Sequence, residues 1–97
     1  MTGERCILLL PSVHDVMAAE RILVRAGIWC DLVPTPKEIS PECGMAVEIE
    51  LDDRPAAVRL LLAGLRVGMR IYQKTGRRYT FLEAVQLPDH RRSGGKR

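Results

Sequence analysis

Aromatic side chains are scarce in this chain: one Phe, one Trp and two Tyr in 97 residues. A packed interior must therefore be aliphatic, assembled from Leu, Ile, Val, Met and Ala. Long apolar runs are missing as well. None approaches the roughly 18–20 residues that cross a bilayer. The apolar run at residues 6–10 is short and follows Glu4 and Arg5, unlike a secretion signal. Neither a Gly-x-Gly-x-x-Gly turn nor a Walker loop is present, so cradling of a phosphate by a glycine-rich turn has no support. The three cysteines, Cys6, Cys30 and Cys43, form no Cys-x-x-Cys pair, and with His14 they match no recognised zinc spacing. These absences lead to the expectation of a cytoplasmic protein with reduced thiols, no cofactor and no metal.

Charge is present but unevenly placed. The chain has a formal net charge of +3. Residues 88–97 carry Arg91, Arg92, Lys96 and Arg97 against Asp89, which is the same +3, so residues 1–87 are neutral overall. With no basic bias on the body, a nucleic-acid partner is not expected. Residues 88–97 read as a solvated, disordered basic tail behind a single folded domain over residues 1–87. Hydrophobic content of 46% with 28% charged residues suits one such domain with a modest core.

What is there has a clear order. Residues 6–10 form a short continuous apolar run ended by Pro11, as expected of a strand buried on both faces. Ser12, followed by His14 and Asp15, reads as an N-cap. The helix it starts runs to residue 26, with Val16, Ala19, Ile22, Leu23 and Ala26 on one stripe and Gly27 as its stop. A second strand covers residues 28–33. Residues 45–51 alternate strictly, which sends Met45, Val47, Ile49 and Leu51 to the core and Glu48 and Glu50 to solvent. Asp52, Asp53 and Pro55 start a second helix through Val58, Leu61, Leu62 and Leu65, stopping near Gly68. A last strand lies at residues 70–74, with a further strand region at 78–85 after the Thr75-Gly76 turn. The order β-α-β-β-α-β predicts an α+β, ferredoxin-like sandwich: four antiparallel strands, the first and third central, with two helices on one face. The chain has no Asn, which argues against the acylphosphatase use of that architecture, where an Asn positions the water.

Between the second and third strands lies a proline-punctuated loop. Pro34, Pro36 and Pro41 each lock φ near −65° and remove a backbone donor, so residues 34–44 cannot be helix or central strand. The loop delivers Cys43 and then Gly44 to the start of a strand. A thiol is a nucleophile as thiolate, favoured by exposure and positive potential. Gly44 lets backbone amides approach, successive N–H groups can form an anion-holding nest, and Lys37 adds a cation. Such a site suits a sulfur or selenium atom held as a persulfide or selenopersulfide. The rival reading is that Cys43 is a small hydrophobe packed at a strand start.

The remaining candidates are weaker. Cys6 and Cys30 sit in strands and read as core residues, with Cys30 a resolving thiol if the fold brings it near Cys43. His14 is an acid–base candidate or an exposed helix-start residue. Glu20 reads as part of a solvated helix face, and His90 belongs to the tail.

Taken together, Ser12, Ala19-Glu20, Pro34-Thr-Pro36, Ser40 and Cys43-Gly44, with Ile71-Tyr72 in a last strand, make a specific pattern over residues 6–74. It resembles the selenium/sulfur carrier-like family of small bacterial proteins. The resemblance implies a carrier, not a turnover enzyme, with Cys43 holding the transferred atom. On that reading Ser40, Lys37 and Gly44 stabilise the anion, Pro34 and Pro36 shape the loop, and Ser12 and His14 lie nearby. The implied partners are a cysteine desulfurase or related sulfur or selenium donor and an acceptor protein, with no membrane. The alternative is a non-catalytic module that binds a protein or ligand through its open sheet face or edge, a use that also leaves room for a homodimer.

Overall fold

Strand β1 (Arg5–Leu9) sits at the centre of the sheet because both of its faces are covered. Cys6 and Leu8 lie in a core beneath the helices, whereas Ile7 and Leu9 join a second apolar cluster on the opposite face. A run that is apolar at every position is stable only where neither face meets water. The computed structural model describes residues 3–39 and 44–86. Ser40, Pro41, Glu42 and Cys43, and the tail from residue 87 onward with the boundary expected there, lie outside the described residues.

Helix α1 (Val13–Arg25) begins as its sequence dictates. Ser12 is extended, with φ −148°, and its hydroxyl accepts the Asp15 N–H at 3.2 Å and donates to the Asp15 carboxylate at 3.0 Å. Val16, Ala19 and Leu23 form the buried stripe, and Gly27 takes φ +77° immediately after the helix. Strands β2 (Cys30–Pro34) and β3 (Met45–Glu50) follow, then a single 3-10 turn (Leu51–Asp53) that leads into helix α2 (Arg54–Leu65). Helix α2 ends at Leu65, three residues before Gly68, and its cap Arg66 adopts the left-handed conformation with φ 58°.

Strand β4 (Met69–Thr75) and strand β5 (Arg78–Val85) complete the chain, giving a five-stranded antiparallel sheet in the order β2-β3-β1-β4-β5. The expectation of four strands is corrected here. Gly76, with φ +61°, opens a two-residue turn that pairs Thr75 with Arg78, and the hairpin adds β5 to the free edge of β4. Strands β1 and β3 lie inside the sheet, as expected. Both helices cover one face, where Ala57 and Leu61 of α2 meet the α1 stripe over Val47, Ile49, Met69 and Ile71.

The other face is less open than the alternation of β3 suggested. Glu48, expected in solvent, is 7% exposed. Ile7, Leu9 and Ala46 are buried on that face, with Val33, Ile39, Tyr72 and Tyr79 packed against them. The carboxylate is neutralised where it lies, by Arg5 Nη1 at 3.1 Å and Lys74 Nζ at 3.5 Å. A carboxylate withdrawn from water requires such partners.

Candidate functional site

Three connections end at the same edge of the molecule. β1 runs through Leu10 and Pro11 to Ser12 at the start of α1, Gly44 leads into β3, and Gly68 opens β4 beside the last residues of β5. Between them is a cleft of about 600 Å³ whose walls include Ser12, Val13, Gly44, Gly68, Arg70 and Gln86. Gly68 is there for space. A Cβ at that position would stand 2.9 Å from the Val85 carbonyl oxygen, so only glycine lets the two strand ends approach this closely.

The electrostatics of the cleft favour an anion. Of the first-turn amides of α1, that of Asp15 is bonded to the Ser12 hydroxyl and that of Val16 to the Ser12 carbonyl. Among the described residues the amide of Val13, which lies in the cleft wall, has no such partner. Arg70 adds a cation to the wall. Sequence reasoning missed Arg70, because its place in the cleft depends on the β1–β4 register, Leu9 opposite Arg70.

The expected site residues separate into two groups. The cleft unites Ser12 and Gly44. His14, on the first turn of α1, is exposed and is not part of the wall. Pro34 ends β2 opposite Met45. The Pro36 carbonyl accepts the Ile39 N–H at 3.0 Å in a turn that leaves Lys37 exposed, away from the cleft lining. Ile39 anchors this turn on the cluster of Ile7, Leu9 and Ala46. The Thr35 N–H donates to the Gly44 carbonyl at 3.2 Å, which ties the two ends of the loop together. Thr35, also missed, is 8% exposed, and its hydroxyl has no hydrogen-bond partner among the described residues. Ser40 and Cys43 lie outside the described residues.

The other two thiols are held in their neutral form. Cys6 is fully buried, and its pKa is pushed up to about 11, mainly by that burial, with Arg54 opposing the shift and Glu83 adding to it. Cys30 is also raised, first by burial and then by the carboxylates of Glu20 and Asp31. Both are therefore poor nucleophiles at neutral pH. Cys30 pairs with Ile49, five residues along from Gly44, which is about 16 Å at strand rise. Among the described residues, no group of three or more His, Cys, Asp and Glu side chains is placed to hold a metal ion. No helix among them is long and apolar enough to cross a membrane.

Residues 5–70 match the family described as "Putative Se/S carrier protein-like". The chain belongs to this family. The matched span runs from β1 into β4 and contains the whole proline loop with Cys43, and both Ser12 and Gly44 of the cleft. Ile71, Tyr72 and all of β5 lie beyond it. No curated protein and no solved structure matches the chain.

Proposed function

We propose that the chain carries a sulfur or selenium atom on Cys43 and relays it between a donor and an acceptor protein. Family membership supports the class of activity. The observation that supports the residue assignment is the cleft, which sets Gly44, the neighbour of Cys43 in sequence, beside Ser12, Val13 at the start of α1 and Arg70. A persulfide is an anion near neutral pH, and donors of this kind stabilise one. The raised pKa values of Cys6 and Cys30 disfavour either as the carrier.

The Cys43 thiolate attacks the outer sulfur of a donor persulfide, such as that of a cysteine desulfurase. A new S–S bond forms at Cys43 while the donor's S–S bond breaks, and the donor departs as thiolate with the electron pair. The acceptor's thiolate then repeats the exchange on the loaded Cys43. No external oxidant or reductant enters either step, and a selenopersulfide follows the same balance. The chain is thus a relay in place of a turnover enzyme, operating in the reducing cytoplasm. Its first four strands and both helices act as a ferredoxin-like platform, with β5 covering one edge.

Alkylation by iodoacetamide at neutral pH tests the assignment of the nucleophile. Modification is expected at Cys43 well before Cys6 or Cys30. Equal, slow modification of all three thiols would instead favour a binding module without a reactive cysteine.

A further inference from the structure

Three large apolar side chains are left in solvent along α1: Val13 and Met17, each 48% exposed, and Val24, 61% exposed. At 3.6 residues per turn they fall within about 40° of one another around the helix. With Glu20 they follow the 4-3-4 spacing of a helix–helix seam. One flank of that seam is buried, with Val16 and Leu23 in the core. The other is exposed and basic, formed by His14, Arg21 and Arg25.

Arg21 and Arg25 are spaced i,i+4, where like charges oppose helix formation. Among the described residues neither arginine has an ion-pair partner. The helix therefore keeps a strip that is apolar at three of its four positions, with Glu20 as the fourth, and an adjacent pair of cations without an ion-pair partner among the described residues. Each is relieved by a partner that brings apolar side chains and carboxylates together. The seam also leads to the site, because Val13 lies in the cleft wall beside Ser12.

We propose that the outer face of α1 docks an acidic amphipathic helix of the donor protein, its apolar side on Val13, Met17 and Val24 and its carboxylates on Arg21 and Arg25. The inference rests on the carrier reading and names the partner surface for it. A helix lying along residues 13–24 spans about 17 Å, so one of its ends is at the cleft. Met17, unbranched and adaptable, suits a surface that must fit more than one side-chain arrangement. A second copy of this chain fits less well, since antiparallel pairing of two α1 helices sets one basic flank against the other.

The probe is a synthetic helical peptide with Leu on one stripe, Glu on its flank and one terminal cysteine persulfide. A second peptide has Lys in place of each Glu. Binding is read by fluorescence anisotropy on the Cys43→Ser protein, and loading by intact mass on the Cys43 protein. The acidic peptide is expected to bind in preference to the basic one. Arg21→Glu/Arg25→Glu should weaken it about tenfold and invert the preference, and Met17→Gln/Val24→Gln should weaken both peptides. Circular dichroism melts check that both variants fold. Loading by free cysteine persulfide should not change in either variant.

Equal binding of the two peptides, or indifference to both double substitutions, overturns the proposal. So does a dimer dispersed by Met17→Gln/Val24→Gln, which assigns the seam to a second copy. Binding to phosphatidylserine vesicles in place of peptide overturns it in favour of a lipid surface. If free cysteine persulfide does not load Cys43, the carrier reading is what fails, and the anisotropy result alone upholds or overturns the docking face.

Discussion

Arg5 donates through Nη1 to Glu48 at 3.1 Å, and its guanidinium at the same time lies 4.4 Å from the ring centre of Trp29. The pair joins the central strand β1 to β3, and Lys74 of β4 joins it from the other side at 3.5 Å. The partners are unequally exposed: the Glu48 side chain is 10% exposed, whereas those of Arg5 and Lys74 are each 34% exposed. Removing the acid leaves two cations that water can reach. Removing Arg5 leaves a carboxylate that water reaches poorly, with Lys74 at 3.5 Å as its remaining cation.

Arg5→Met is therefore expected to destabilise the protein by about 2 kcal/mol, counting the lost Trp29 contact, and Glu48→Gln by about 1 kcal/mol. Urea denaturation of the two variants checks the order. A larger loss for Glu48→Gln would show that the carboxylate is not the member that depends on the pair.

Cys6 makes stability depend on alkaline pH. Burial favours the neutral thiol in the folded state, raising its pKa from 9.0 to about 11. The contribution is fully present below about pH 9 and is lost as pH rises through about 11, amounting to at most roughly 3 kcal/mol. Cys6→Ala should lower stability at neutral pH through the cavity it leaves, yet show a shallower decline between those values. Other alkaline groups titrate in both proteins and cancel in the comparison. Identical slopes would contradict the assignment.

The two glycines of the cleft should behave differently. A Cβ at Gly68 meets the Val85 carbonyl at 2.9 Å, a backbone atom that cannot step aside, whereas a Cβ at Gly44 meets nothing within 4 Å among the described residues. Gly68→Ala is expected to cost about 1–3 kcal/mol, and Gly44→Ala close to nothing. Because Gly44 lines the space where the loaded anion is proposed to lie, Gly44→Ala should slow loading while leaving the thermal melt unchanged. A melt lowered by Gly44→Ala would move that glycine's role from the cleft to the fold.

Much of this architecture was legible in local chemistry. The Ser12 cap, the Gly27 stop and the Thr75-Gly76 turn each depend on a few neighbouring residues and are found where those residues place them, as are Val16, Ala19 and Leu23 of the α1 stripe, whereas Ala26, expected on that stripe, is exposed just past the helix end. The failures lie where distant elements meet. Gly68 looked like a helix stop, but its lack of a side chain serves the approach to Val85, and Arg66 ends α2 in a left-handed conformation instead. Glu48 alternates as a solvent-facing residue, and only the strand pairing shows that Arg5 and Lys74 neutralise it on a covered face. Of the site, Ser12 and Gly44 come together as cleft walls. Arg70 required the β1–β4 register, and Lys37 faces solvent because the turn after Pro36 directs it outward.

The proposed relay depends on one atom, the sulfur of Cys43. Intact-mass analysis after incubation with a cysteine desulfurase and either cysteine or selenocysteine addresses it directly, with Cys43→Ser alongside. One added sulfur or selenium atom per chain is expected, removed by reductant and absent from Cys43→Ser, with Cys6 and Cys30 unmodified. No adduct on the native chain, or an equal adduct on Cys43→Ser, would contradict it.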